Sequence, residues 1–159
     1  MVEGRRLVDR AVSTMASGGC DPVWVVLGAW VGEVPGARCV VNEAWESGMG
    51  SSLAAGITAI STVSATEGID AIAITLVDLP GLTAAAVRRV CEDGRLAVAT
   101  YHGKRGHPVL VSHEYWDELL GTLGGDQGAR DFLRARGDVV SIEVGDVADG
   151  ADLDVPEVP

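Results

Sequence analysis

"DAIAITLVDLPGLTAAAVRRVCEDG", residues 70–94, reads as a strand, a turn and a helix in succession. Its apolar run from Ala71 to Val77 is nearly continuous rather than alternating, the pattern of a strand covered on both faces. The run breaks at Asp78, and Pro80 and Gly81 follow almost at once, which predicts a turn. Thr83 then stands at an N-cap position and Gly94 at a helix stop. A carboxylate is thereby set between a buried strand and the helix that follows it.

The same alternation extends in both directions. "RLVDRAVSTMASGG" repeats apolar residues at helical spacing and closes on Gly18 and Gly19, and "DPVWVVLGA" predicts a buried strand. "RCVVNEAW" predicts a second strand ending at Asn42, and "SSLAAGITAIST" a small-residue helix with two serines where caps belong. After residue 94, "RLAVATY" and "HPVLVS" predict strands, "HEYWDELLG" and "DQGARDFLRARG" helices, and "DVVSIEVG" a last strand. Continuous apolar strands separated by helices imply one three-layer α/β domain with a mostly parallel sheet. The tail "DVADGADLDVPEVP" has no apolar period and predicts no helix.

Composition narrows the function classes. A chain of 159 residues with 47% hydrophobic content fits a single domain spanning 1–159. A formal charge of −11 disfavours nucleic acid and an anionic membrane surface as partners, whereas amides, a few cations and a divalent metal can still create a local anion site. Cys20, Cys39 and Cys91 are odd in number and lack a C-x-x-C arrangement, so they read as buried thiols of a cytoplasmic protein. The apolar stretch "VWVVLGAWV" is too short to span a bilayer, and no signal-peptide pattern opens the chain. Trp24, Trp30, Trp45 and Trp116 form no stacking platform by their spacing and read as packing residues.

Five segments hold the candidate chemistry. Asp78 is either a turn carboxylate capping the next helix or a hard oxygen ligand for Mg2+ at a strand's carboxyl end, where α/β sheets gather their ligands. "ESGMGSSLAAG" packs glycines and serines around a helix start; it is either a capping loop or a set of donors for a phosphate or base. "YHGKRGHPV" concentrates His102, Lys104, Arg105 and His107 around Gly106, and Lys104 is the one lysine in the chain; a solvated hairpin is the competing reading. Asp126 in "GGDQGARDFL" either caps a helix starting at Gln127 or faces a ligand. Asp152 and Asp154 alternate, so in an extended backbone both project to one side, and they reach Asp78 if residues 146–159 fold back to the site.

Taken in order, "VVNEAWESGMGSSLAAGI", "LVDLPGLT", "GKRGHPVL", "GDQGARDFL" and "ADLDVPE" resemble the nucleotidyltransferases that include molybdenum cofactor cytidylyltransferase. The resemblance runs from Val23 nearly to the end. It implies a Rossmann-like sandwich in which Asp78 and Asp154, or Asp152, bind Mg2+ and act in catalysis. It further assigns Asn42, Gly48, Gly50, Ser51 and Ser52 to the nucleotide, and Lys104, Gly106, His107 and Asp126 to the acceptor. The implied reaction transfers a nucleoside monophosphate, CMP from CTP being favoured, to a molybdopterin-type acceptor with release of pyrophosphate. A molybdoenzyme is the implied protein partner. A noncatalytic accessory relative in molybdoenzyme maturation, or a sugar-phosphate or other nucleotidyltransferase, are the alternatives.

The sequence departs from that pattern at its start. The relatives open with a strand and a loop of the form LAAGxSxRMGxPK, whereas this sequence begins "MVEGRRLVDRAV", which resembles the segment after that loop. The expectation is a domain without its N-terminal strand and phosphate loop, arising from a start codon inside a longer frame or from a truncated paralogue, and crippled in triphosphate binding.

Overall fold

The computed structural model describes residues 4–92, 94–125 and 128–153. Helix α1 (Leu7–Ser17) leads into β1 (Trp24–Leu27) and β2 (Arg38–Val41). Helices α2 (Met49–Ser61) and α3 (Ser64–Glu67) precede β3 (Ala71–Ile74), and α4 (Ala84–Cys91) precedes β4 (Leu96–Tyr101) and β5 (Lys104–Ser112). Helices α5 (Trp116–Thr122) and α6 (Arg130–Arg134) lead to β6 (Val140–Glu143).

The strands form two sheets, a parallel β1–β2 pair and a four-stranded sheet in the order β3-β5-β4-β6. In the larger sheet β3, β4 and β6 share one direction, and β5 runs against them. The reversal has a local cause. His102 and Gly103, at φ of 52° and 81°, make a two-residue turn between Tyr101 and Lys104, a connection short enough to join only antiparallel neighbours. Lys104 to Gly106, for which a hairpin loop was one reading, are therefore the first residues of β5, ahead of the strand expected from His107.

The expected burial on both faces is present, and strand residues alternate between two cores. Leu96 and Val98 of β4, Val109 and Val111 of β5 and Ile72 of β3 pack with Ile57 and Ile60 of α2, Trp116 and Leu119 of α5, and Phe132 and Leu133 of α6. Ala97, Ala99 and Leu110 face the other way, onto Met15 of α1 and Ala86, Val87 and Val90 of α4. The small strand pair is likewise covered: Val25 and Leu27 pack on Val12 of α1, and Val26 is close to Gly56 of α2. Helices on two faces of mostly co-directional strands make the three-layer α/β architecture.

Several local expectations are corrected. The serines of "SSLAAG" do not cap α2; Gly48 precedes that helix without a side-chain cap, and Ser51 Oγ donates to the Gly48 carbonyl at 2.8 Å. Helix α6 starts at Arg130 behind Ala129, and Gln127, the expected start, lies outside the described residues. Cys39 is exposed on β2, and Cys20 and Cys91 are half-buried. Trp116 is 2% exposed, whereas Trp30 and Trp45 are 52% and 41% exposed and do not serve the core. Among the described residues no helix is long and apolar enough to cross a membrane.

Candidate active site at the carboxyl ends of the strands

The carboxyl ends of β3, β4 and β6 and the start of β5 lie at one end of the larger sheet, because β5 is antiparallel to its neighbours. Asp78 stands there, four residues beyond Ile74, in the turn rather than on the strand itself. That turn is buttressed from α1: Arg10 Nη2 donates to the Pro80 carbonyl at 3.4 Å, and the cleft between Leu7, Ala11, Val77 and Leu82 has a volume of about 10 Å³. Thr83, not Asp78, caps α4, its Oγ1 accepting from the Ala86 amide at 3.2 Å. Asp78 is thus free of capping duty. Its Oδ1 is shielded from solvent and has no hydrogen-bond partner among the described residues. A buried carboxylate oxygen left unsatisfied costs free energy unless a cation or donor meets it.

The tail returns to this turn. Residues 147–153 run antiparallel to residues 78–83, with Thr83 Oγ1 donating to the Val147 carbonyl at 3.0 Å, the Asp149 amide to the Gly81 carbonyl at 3.1 Å and the Leu153 amide to the Asp78 carbonyl at 2.9 Å. Gly81 permits this approach, since a Cβ there would lie 2.6 Å from the Asp149 carbonyl oxygen. Asp152 is exposed beside Asp78, one residue before the last of these bonds. Asp154 and Asp126 lie outside the described residues. Among the described residues no group of three His, Cys, Asp or Glu side chains converges on one point.

His107 joins the same end. Its Nδ1 is 3.3 Å from the Ile74 carbonyl oxygen, which can only accept, so Nδ1 carries the proton and Nε2 is left as the acceptor of the neutral ring. Burial pushes the His107 pKa below its ordinary value; the Ile74 carbonyl and Asp78 pull it back, and Arg130 opposes them. Arg130 of α6 is exposed, and the expectation from residues 124–133 fell on Asp126 instead. The cation was legible in the "GAR" of that segment, but only the fold brings it to His107. Arg105 Nη1 donates to the Leu133 carbonyl at 3.3 Å and holds α6 against β5. Lys104, also exposed, makes no ion pair among the described residues, and Gly106 lies 3.0 Å, by its would-be Cβ, from the Tyr101 ring.

The segment expected to bind the nucleotide is built around Asn42, which is 7% exposed. Asn42 Nδ2 donates to Ser51 Oγ at 2.9 Å and Ser52 Oγ at 3.1 Å, and its Oδ1 accepts from the Ala44 amide. Ser51 spends its own proton on the Ala44 and Gly48 carbonyls, so its hydroxyl braces the loop rather than facing a ligand. Gly48, at φ 114°, makes the turn into α2, and Gly50 lies so close to Gly124 and Gly125 that a Cβ would sit 3.0 Å from the Gly124 nitrogen. Gly128 likewise approaches Met49. The serine loop and the 124–130 segment are therefore in contact. The structure brings Asp78, His107 and the tail together at one place, and braces Asn42, Ser51 and Ser52 at another.

Comparison with known proteins shows the family and the fold. Residues 1–140 match the family described as MobA-like NTP transferase domain. Nicotine blue oxidoreductase of Paenarthrobacter nicotinovorans is 37% identical over 171 aligned residues, covering 97% of this chain and 81% of that protein. The crystal structure of an Rv0371c homologue from Mycobacterium sp. strain JC1 superposes with a TM-score of 0.76 at 27% identity, over 96% of this chain and 79% of that one. Rv0371c of Mycobacterium tuberculosis H37Rv, solved in complex with manganese, superposes with a TM-score of 0.67 at 26% identity, over 86% of this chain and 75% of that one. The chain belongs to the MobA-like NTP transferase family, and its Rossmann-like fold is that of a nucleotidyltransferase.

Proposed function

We propose that this nucleotidyltransferase acts in the cytoplasm with Mg2+, transferring CMP from CTP to the phosphate of a molybdopterin-type acceptor and releasing pyrophosphate. The observation that carries the metal assignment is the buried Oδ1 of Asp78, without a partner among the described residues, beside a tail whose Leu153 amide bonds the Asp78 carbonyl and so brings Asp152 to the same turn. Mg2+ is commonly held by one or two carboxylates with water and substrate phosphates filling the remaining positions, so a site without a third protein ligand suits it. The manganese complex of the Rv0371c relative is in keeping with a divalent ion. When bound, the ion supplies charge stabilisation to the non-bridging phosphate oxygens.

The chain's own residues do the rest by positioning. Asp78, with Asp152 or Asp154, holds the ion. Asn42 keeps Ser52 and the glycine turn at Gly48 and Gly50 in place for the nucleotide. Lys104, Gly106 and Arg130 face the acceptor, with Asp126 in the same segment. Neutral His107 offers Nε2 as an acceptor, so it suits a hydroxyl or a singly protonated phosphate rather than a bare dianion. An anionic phosphate is already a nucleophile and needs no strong base.

The test is pyrophosphate release from CTP, GTP and ATP in the presence of Mg2+ and purified molybdopterin. The LAAGxSxRMGxPK loop of the relatives is not in this sequence, so the expected release is slow; release with CTP that disappears in Asp78→Asn supports the reading, and equal or absent release with every triphosphate overturns it.

A second reading is favoured by the 37% identity to a protein named nicotine blue oxidoreductase. Under it the chain serves a redox system, as an accessory to a molybdoenzyme or as a dye-directed oxidoreductase. Bleaching of nicotine blue by the chain and a reductant, without pyrophosphate release, would distinguish it.

A further inference from the structure

Tyr101 ends β4 at the same end of the sheet as Asp78. Three parts of the site meet on it. Its hydroxyl donates to the His107 carbonyl at 2.6 Å. Gly106 approaches the Cδ2–Cε2 edge of the ring, where a Cβ would lie 3.0 Å from Cε2. Gly150 of the tail lies closer still, and a Cβ there would be 2.6 Å from Cδ2 and 2.8 Å from Cε2 and Cγ. No side chain other than hydrogen fits at position 150 while the ring and tail keep these places.

This contact fixes one end of a short span. The tail is held at Gly150 by the Tyr101 ring and at Leu153 by the 2.9 Å bond from its amide to the Asp78 carbonyl. Ala151 is turned by its amide's 2.9 Å bond to Asp149 Oδ1. Asp152 is therefore bracketed between two anchors, one on Tyr101 and one on Asp78. The bonds from the Asp149 amide to Gly81 and from Thr83 to Val147 hold the tail upstream of this span, and the Tyr101 contact is what carries the chain from there to Asp152.

We propose that Tyr101 is a positioning residue, which holds Asp152 at the Asp78 turn through Gly150 and sets His107 through its hydroxyl. It touches neither metal nor substrate in this role. The proposal rests on the reading of Asp78 as a metal ligand. It extends that reading by giving an aromatic residue, the first of "YHGKRGHPV" but not among the candidate site residues, control over the second carboxylate. Burial and nearby Asp149 push the Tyr101 pKa up, so the hydroxyl keeps its proton for the His107 carbonyl at neutral pH. Residues that orient a ligand without being ligands commonly change metal affinity by about 10- to 100-fold when removed.

The experiment is Mn2+ titration of the full 159-residue chain, followed by paramagnetic broadening of backbone amide resonances, with free Mn2+ measured by its EPR signal. In the wild type, the amides of Leu79 and Leu153 are expected to broaden together. In Tyr101→Ala and in Gly150→Ala, Leu79 still broadens, Asp152 and Leu153 no longer do, and Mn2+ affinity falls about tenfold or more. Tyr101→Phe keeps the ring edge, so the tail broadens as in the wild type while the His107 ring resonances shift. Gly150→Ala lies outside the sheet and carries the test if Tyr101→Ala does not fold. Unchanged broadening of Asp152 and Leu153 in both variants overturns the role of Tyr101 while leaving the metal site standing. A wild type that shows no broadening around Asp78, or an Asp78→Asn variant that binds Mn2+ equally well, overturns the metal reading and this proposal with it.

Discussion

At the scale of single residues, Asp78 bears the heaviest expectation. Its Oδ1 has no partner among the described residues, so removal of its charge removes a cost as well as a function. Asp78→Asn is expected to abolish Mg2+-dependent nucleotide binding in calorimetry while leaving the thermal midpoint unchanged or higher. Gly81 is required for a different reason. A methyl group at that position meets the Asp149 carbonyl oxygen at 2.6 Å, so Gly81→Ala must push the tail away. Urea unfolding should show a loss of about 1–3 kcal/mol, the usual cost of overpacking, and the Leu153 amide should exchange faster. Asp78 stood out in the sequence because an acid that ends an apolar run is visible without structure. Gly81 and Gly150 did not, since the meaning of each depends on a segment more than 45 positions away. Arg130 carries no signal of its role in the sequence, because the group it acts on, His107, is likewise distant in it.

At the scale of elements, the hairpin of β4 and β5 depends on a carboxylate from a third strand. Glu143 of β6 accepts from the His102 amide at 2.9 Å, the Gly103 amide at 3.1 Å, the Gly145 amide at 3.0 Å and Thr100 Oγ1 at 3.0 Å. The amides of His102 and Gly103 lead in bringing its pKa down to about 2. A carboxylate with a depressed folded-state pKa stabilises the fold above its ordinary value and loses that contribution as pH falls through the folded value. The window runs from about 4.5 down to about 2. Glu143→Gln should therefore be less stable than the wild type at neutral pH, and the difference should shrink as the pH of chemical denaturation is lowered through that window. His107 acts higher on the scale. Its pKa is lowered by burial, so protonation of the unfolded chain draws stability away as pH falls below the ordinary histidine value. Most of these elements were legible beforehand from period and punctuation: the helix closing on Gly18, the Thr83 cap and the buried strands fall where expected. The direction of β5 was not, because it is decided by two residues, His102 and Gly103, whose positive φ values are a choice the sequence permits without requiring.

At the scale of the whole molecule, the formal charge of −11 sets the background against which any triphosphate must bind. Raising ionic strength from about 0.01 M to about 0.15 M shortens the screening length from about 30 Å to about 8 Å and should raise the thermal midpoint by relieving self-repulsion. Mg2+ at matched ionic strength is expected to raise it further, and that excess should vanish in Asp78→Asn. Differential scanning calorimetry in the two salts separates screening from site binding. The division of the sheet into two pieces was not legible in the sequence, where every strand has the same buried character. Apolar runs report that a strand is covered; they do not report which edge it shares.

That division has a consequence for cooperativity. Asn42 and the serine loop ride on the β1–β2 piece, Asp78 and His107 on the four-stranded piece, and among the described residues no ladder hydrogen bond joins the two. A ligand gripping both groups acts as a staple across the seam. In its absence the amides of β1 and β2 should exchange through an opening of lower free energy than those of β4, whose residues Leu96–Thr100 are all buried. With saturating nucleotide and Mg2+ the two sets should converge on one opening free energy. Native-state hydrogen exchange would then read substrate binding as the welding of two foldons into one.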